Sequence, residues 1–255
     1  MLDRLLASLT LFTRLPFWRI KNIPAQAFER ATDFWPVAGW ITGGAMAITV
    51  WSTMYIVPVS IAVILAIIVR LLLTGAFHED GLGDLFDGFG GGRDAEGILR
   101  IMKDSRTGSY GVVGMIIYYL LLFNTLILIP PTILSIALVV GDPLCKALTA
   151  QLTNLLPYAR NIEESKTHTV YNRMGIGSFV ICAITGLLPA IILLPTMYFA
   201  AFSLSIIIFA ILVYMMKNKL SGYTGDCCGA TFLLTELGFY MGVMVISILQ
   251  TKGCI

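Results

Sequence analysis

The sequence predicts an all-α fold, a polytopic bundle of membrane helices, on three observations. Of its 255 residues 57% are hydrophobic and only 13% charged, whereas soluble domains carry about 25% charge. Apolar runs of about twenty residues, the length that crosses a bilayer as a helix, recur along the chain. Those runs are punctuated by turns at Pro58, Pro130-Pro131 and Pro195 and by polar loops. No stretch has the composition of a soluble second domain or a linker, so residues 1–255 read as one integral-membrane domain.

Composition also excludes some functions. A net charge of +2 carries no signal for a nucleic-acid partner. The five cysteines (Cys145, Cys182, Cys227, Cys228 and Cys254) are odd in number and lack zinc-ligand spacing with a histidine, so they read as small apolar residues.

From Met1 to Phe17, Leu2, Leu5, Leu6, Leu9 and Phe12 recur at helical spacing with Arg4 and Arg14 flanking. That pattern predicts an amphipathic helix in the membrane interface, ended by Pro16. Asp3, Arg4 and Arg14 interrupt the apolar residues, so a cleavable signal peptide is not expected. Residues 18–33 are a polar connection. Phe34 to Val57 is the first expected span; its Gly39, Gly43, Gly44 and Ala45 permit close helix packing, and self-association as well. Val59 to Phe77 returns. Gly111 to Ile129 is the third span and Thr132 to Leu152 the fourth, interrupted at Gly141-Asp142-Pro143. There a helix end and a fresh start are expected, with Asp142 as N-cap and Pro143 at the first position. Residues 153–175 form a polar loop containing His168. Ile176 to Leu194, Met197 to Met216 and Gly229 to Leu249 complete seven spans.

Orientation follows from lysine and arginine placement. One set of loops holds 14 of the 17 basic residues, and the opposite side only Lys252. Arg70 and Lys146 fall within spans. This asymmetry places the N-terminus and the charged stretch in the cytoplasm and the C-terminus outside, in a multi-pass membrane protein. For the charges inside spans, Asp142 and Lys146 are four apart and suit an intrahelical pair. Arg70 either snorkels or pairs with an acid. Glu236 has either a site role or a structural hydrogen bond.

Between the second and third spans lies the chemistry-bearing stretch, His78 to Gly111. It holds six of the 15 acidic residues between Glu79 and Glu96. Charge among membrane spans marks a functional site. On a helix Asp80, Asp84 and Asp87 fall within about 60° of one another, with Leu82, Leu85, Phe86 and Phe89 on the opposite face. Carboxylates gathered this way raise one another's pKa unless a cation is present. Hard oxygen ligands suit Mg²⁺, which takes one or two carboxylates plus substrate phosphate oxygens. Gly81, Gly83 and Gly88 weaken the helix but admit a ligand to the backbone. Arg93, Arg100, Lys103 and Arg106 follow, with Asp104 among them. Carboxylates for metal beside basic groups for phosphate suit phosphoryl transfer. Ser105, Thr107, Gly108 and Ser109 lead into a helix N-terminus able to bind phosphate oxygens.

These residues resemble the cobalamin synthase family, the membrane-bound adenosylcobinamide-GDP ribazoletransferases. The pattern runs His78-x-Asp80-Gly81-Leu82-x-Asp84-x-x-Asp87-Gly88, then Ile101-Met102-x-Asp104-Ser105-Arg106-x-Gly108-x-x-Gly111. Later come Thr224-Gly225-Asp226-x-x-Gly229-Ala230 and Thr235-Glu236-Leu237; Phe12 to Pro16 and Phe34 to Trp40 match near the amino end. The resemblance implies a Mg²⁺-dependent enzyme that joins adenosylcobinamide-GDP to α-ribazole or its 5′-phosphate and releases GMP. On this basis the expected metal ligands are Asp80, Asp84, Asp87 and Asp104. Arg93, Lys103, Ser105, Arg106, Thr224 and Asp226 are expected to bind substrate or its phosphates. Asp104 and Asp226 either ligate metal or hold the basic residues in place. Asp84, Asp87 and His78 are the expected catalytic groups, the general base being His78 or one of the aspartates; on the helical wheel His78 points away from the acids. Two rival readings remain. A CDP-alcohol phosphatidyltransferase also uses membrane aspartates, but its Ala-Arg after Asp-Gly is missing here. A cation-coupled transporter would place its acids across inverted repeats, which are absent.

Overall fold

The computed structural model describes residues 1–159 and 171–254. Within them the chain forms twelve α-helices linked by turns. These are α1 (Leu2–Phe12), α2 (Ala25–Phe28), α3 (Trp35–Thr53), α4 (Val59–Thr74), α5 (Phe77–Gly91) and α6 (Ala95–Lys103), followed by α7 (Ser109–Leu128), α8 (Pro131–Ala150), α9 (Leu152–Leu155), α10 (Ile176–Leu193), α11 (Phe202–Leu220) and α12 (Gly225–Thr251). Among the described residues the one β feature is a parallel bridge between Tyr158 and Tyr223. The all-α bundle is as expected. Arg160, Lys166 and His168 lie outside the described residues.

The expected count of seven spans is not confirmed. Five helical segments are long and apolar enough to cross a membrane: Ser109–Leu128, Pro131–Leu155, Ile176–Leu193, Thr196–Leu220 and Gly225–Thr251. A sixth appears if α4 and α5, bent by 93° to each other, count as one broken or re-entrant span. The shortfall falls on α3, whose Gly, Thr and Trp residues dilute its hydropathy, and on α4, which is only 16 residues long. The outward faces of these helices expose Ile64, Ile68, Ile116, Ile117, Ile206 and Ile207. A continuous apolar surface of that kind needs a lipid environment rather than water.

Helix packing uses the glycines the sequence offers, selectively. A β-carbon on Gly39 would lie 2.7 Å from the Asp142 carboxylate, and one on Gly43 2.6 Å from the Leu138 carbonyl. Both glycines are therefore the contact stripe of α3 against α8, while Gly44 faces open space. The amino-terminal helix packs on the protein through Leu6, Leu9 and Phe12, with Phe12 stacked on Trp35 at 4.7 Å. Arg4 and Ser178 both donate to Asp33, at 3.3 and 2.6 Å, tying α1 to α10.

One expected break does not occur. Helix α8 runs unbroken through Gly141-Asp142-Pro143. Asp142 does not cap backbone; its carboxylate lies 2.5 Å from Lys146 and accepts from the Thr42 hydroxyl at 2.6 Å. Lys146 in turn donates to Thr42 at 2.9 Å, and its ammonium lies 4.6 Å from the centre of the Phe232 ring. Gly141 is small because the Tyr240 ring leaves no room for a side chain. The pairing of Asp142 with Lys146 is the intrahelical one expected.

Arg70 pairs rather than snorkels. Its guanidinium, 1% exposed, donates to Glu236 of α12 at 2.5 Å and to the Tyr118 hydroxyl of α7 at 3.3 Å. Glu79 of α5 lies 3.8 Å away, and Tyr240 donates to the second Glu236 oxygen at 2.8 Å. Glu236 thus has the structural bond that was one of its two readings. Removing one partner of a buried pair leaves the other charge uncompensated and costs about 3–5 kcal/mol. Arg70→Met leaves two carboxylates without their cation, whereas Glu236→Gln leaves Arg70 with Glu79. Thermal unfolding in detergent is expected to show the larger drop in Tm for Arg70→Met; equal losses would mean that Glu79 contributes nothing to the network.

Candidate active site at the bend between α4 and α5

The site begins where α4 stops. Gly75 takes a left-handed conformation at the helix end (φ 67°), and Ala76 follows it with φ 58°. Gly75 does this freely; an L-residue such as Ala76 gives up roughly 1–2 kcal/mol. Two left-handed residues in succession turn the chain so that α5 leaves at 93° to α4. Glycine-rich α5 would be weak alone but is held on two sides. Gly81 meets the Asp226 backbone of α12, where a β-carbon would approach within 2.8 Å, and Gly229 of α12 meets the His78 carbonyl in the same way at 3.0 Å. On the other side Ile98 and Met102 of α6 bury against Gly88 and Gly92.

Asp80, Asp84 and Asp87 do lie along one helix, but at different depths. Asp80 is exposed, Asp84 half-buried and Asp87 buried. Asp87 is committed to structure: its two oxygens accept from the Gly108 and Gly111 amides at 2.6 and 2.8 Å. Those amides open α7, so Asp87 is the anion at that helix N-terminus, where the dipole favours negative charge. A β-carbon on Gly108 would come within 2.5 Å of the same carboxylate. This explains the Gly-x-x-Gly spacing: the helix start expected to bind substrate phosphate is filled from within the chain.

The remaining predicted residues divide into two groups. Asp104 accepts from Arg106 through both backbone and side chain, at 3.0 and 2.7 Å. The Arg106 side-chain bond, then the backbone bond, holds the Asp104 carboxyl down at about 2. It is thus fully ionised at neutral pH and engaged in holding a basic residue in place, one of its two expected roles. Arg93, Arg100, Lys103, Ser105 and Arg106 are exposed around the corner between α5 and α7. At the far end of the chain Thr224 caps α12, its hydroxyl accepting from the Cys227 amide at 3.3 Å. Burial and this capping bond make Thr224 a structural residue rather than an open substrate contact. The start of α12 is steadied by the bridge in which Ala159 donates to the Tyr223 carbonyl and Tyr223 to that of Pro157, both at 2.9 Å. That pairing sets the backbone of half-buried Asp226 against Gly81, the residue after Asp80.

His78 is not brought to the acids. Helix α5 starts at Phe77, before it, so the wheel holds and His78 points inward. Its ring is 5.0 Å from Phe232, 5.8 Å from Trp35 and 6.1 Å from Phe12. Two residues at the site escaped sequence reasoning. Glu79, adjacent to His78 and off the acid face, reaches Arg70. Arg14, counted only toward orientation, lies against Gly75 at the bend. Its place in the Phe12 to Pro16 match was the available signal.

Among the described residues no three His, Cys, Asp or Glu side chains converge so as to hold a metal ion alone. Mg²⁺ does not require this, since it takes one or two carboxylates and fills its octahedron with water and phosphate oxygens. Asp80 and Asp84, one turn apart and open enough to be reached, meet that requirement, with Asp226 alongside; Asp87, engaged by two amides, meets it least. Loss of each charge-assisted bond to Asp87 costs about 1.5–3 kcal/mol. Asp87→Ala is therefore expected to lower Tm along with any activity. An unchanged Tm for Asp87→Ala would remove its capping role.

A family model described as cobalamin-5-phosphate synthase matches residues 4–244. The relatives include proteins named adenosylcobinamide-GDP ribazoletransferase from Shewanella sp. (strain W3-18-1), Shewanella putrefaciens (strain CN-32 / ATCC BAA-453) and Shewanella baltica (strain OS185). Each is 34% identical over 251 residues, covering 96% of this chain and 95% of the relative. No solved structure gives a significant match. With its acid helix, its bend and its α12 motif all inside the matched region, the chain belongs to the cobalamin-5-phosphate synthase family.

Proposed function

We propose that this chain is an adenosylcobinamide-GDP ribazoletransferase, joining adenosylcobinamide-GDP to α-ribazole 5′-phosphate or α-ribazole with release of GMP, late in cobalamin synthesis. The observation that carries the reading is full-length similarity to relatives of that name, together with an acid helix that offers Asp80 and Asp84 at an accessible bend. Full-length similarity also favours this reading over a phosphatidyltransferase or a transporter.

The reaction is a displacement at phosphorus. A ribose hydroxyl of the acceptor forms a new P–O bond to the corrinoid-side phosphorus of the diphosphate. The bond from that phosphorus to the bridging oxygen breaks, and GMP leaves with the electron pair. The hydroxyl proton passes to a base. An aspartate of α5 fits that role better than His78, which faces aromatic rings. Asp80 and Asp84, with Asp226 adjoining, would hold Mg²⁺, which would supply neutralisation of the diphosphate charge. Exposed Arg93, Arg100 and Lys103 attract the anionic substrates to the corner. Orientation of this face toward the cytoplasm of an inner membrane, read from the basic residues, gives both substrates access from the side where nucleotides are made.

The test is GMP release from GDP-cobinamide with α-ribazole 5′-phosphate, by the purified chain in lipid. Activity is expected to require added Mg²⁺ and to vanish on chelation. Asp84→Asn is expected to lower kcat by roughly 10²–10³-fold, the usual loss when one charge-stabilising group is removed. Wild-type activity in Asp84→Asn would sink the assigned role, and absence of any GMP from the wild type would sink the reaction.

A further inference from the structure

A pocket of ≈ 680 Å³ opens between the amino-terminal segment and the bend from α4 to α5. Its wall includes Thr13, Arg14, Trp18, Thr74, Phe77 and Asp80. It is therefore continuous with the acid face but built largely from a part of the chain to which the mechanism assigns nothing. The volume lies within the usual range for small-molecule sites.

Three features give the pocket its chemistry. First, the Arg14 backbone is fixed in place while its exposed side chain is uncommitted. Its amide donates to the Leu73 carbonyl at 2.6 Å, and Thr13 braces the turn by donating to Leu9 and accepting from the Leu15 amide. The guanidinium lies over Gly75, where any β-carbon would collide with it. Among the described residues its side chain makes no ion pair and no hydrogen bond. A guanidinium carried on an anchored turn presents its fork of donors to a phosphate. Second, Trp18, in the turn after Pro16, is 51% exposed and offers a flat aromatic surface. Exposed aromatic planes beside a cation suit a nucleobase. Third, Asp80 is on the wall, so a molecule seated there by base and phosphate ends at the reacting acids.

We infer that this pocket holds the nucleotide end of the donor, a purine nucleoside diphosphate, with the base on Trp18 and a phosphate on Arg14. The inference rests on the ribazoletransferase reading for the identity of the donor. An anionic lipid headgroup offers the same phosphate to Arg14 and the same interface to Trp18, but no base to stack.

GDP is the probe, titrated in chelator onto the full chain in nanodiscs and followed by calorimetry and tryptophan fluorescence. Arg14→Gln and Trp18→Leu are expected to raise the Kd for GDP about tenfold or more, and the KM for GDP-cobinamide with it. The KM for α-ribazole 5′-phosphate stays unchanged, and Trp18→Phe and Arg14→Lys recover most of the loss. Trp18 is half exposed, so its variants test the pocket even if those at Arg14 misfold. Equal GDP binding by wild type and variants overturns the assignment. So does loss confined to binding of phosphatidylglycerol vesicles, which would identify a lipid headgroup site. If GDP binding depends on Arg14 and Trp18 but wild type forms no GMP, the pocket stands and the reaction falls. If GMP forms while GDP binding is indifferent to both residues, the reaction stands and the pocket falls.

Discussion

Buried inside the bundle, Arg70 of α4 reaches Glu236 of α12, Tyr118 of α7 and Glu79 of α5. These four helices are also the ones that shape the candidate site. A guanidinium facing lipid is costly, so a membrane protein keeps one only where partners surround it. Here that requirement fixes which helices must meet. The second buried set, Asp142, Lys146 and Thr42, does the same for α3 and α8. Taken together, the charged side chains inside the spans act as pins between helices whose outer faces are otherwise interchangeable apolar surface.

Pinned in this way, the short helix α5 can leave α4 at a right angle and still be held. Its glycines remove bulk where α12 and α6 approach, and Asp87 locks it to the start of α7. The three aspartates of one helical face consequently divide the work. Asp87 holds the architecture, while Asp80 and Asp84 stay within reach of a ligand. Asp226 arrives from the other end of the chain because α12 must cross α5 at Gly81. Family membership and this geometry are consistent with a site assembled from the amino-terminal turn, the bend, the acid helix and the start of α12.

Much of this was legible in the sequence. Helical periodicity placed the acids on one face, the small residues Gly39 and Gly43 marked a close contact, and the four-residue spacing of Asp142 and Lys146 marked a pair. The departures from expectation have physical causes. Gly-Asp-Pro reads as a helix stop by local propensity, but Asp142 is claimed by Lys146 and Thr42 and the helix continues. The count of seven spans is not confirmed, because α3 is diluted by polar and small residues and α4 is short and ends in a bend.

What the sequence by itself determined is the class: apolar runs, basic asymmetry and the ordered Asp–Gly motifs are local or periodic features, and they identify an all-α membrane enzyme of this family. What only the tertiary structure decided is the division of roles among like residues. Asp80, Asp84 and Asp87 have the same chemistry and share a helical face, and nothing local separates them. The amides of Gly108 and Gly111 do so, because an anion is most stable where unpaired helix N–H groups converge. Arg14 likewise reaches the bend only through a backbone bond to Leu73, a contact between segments 59 residues apart in sequence.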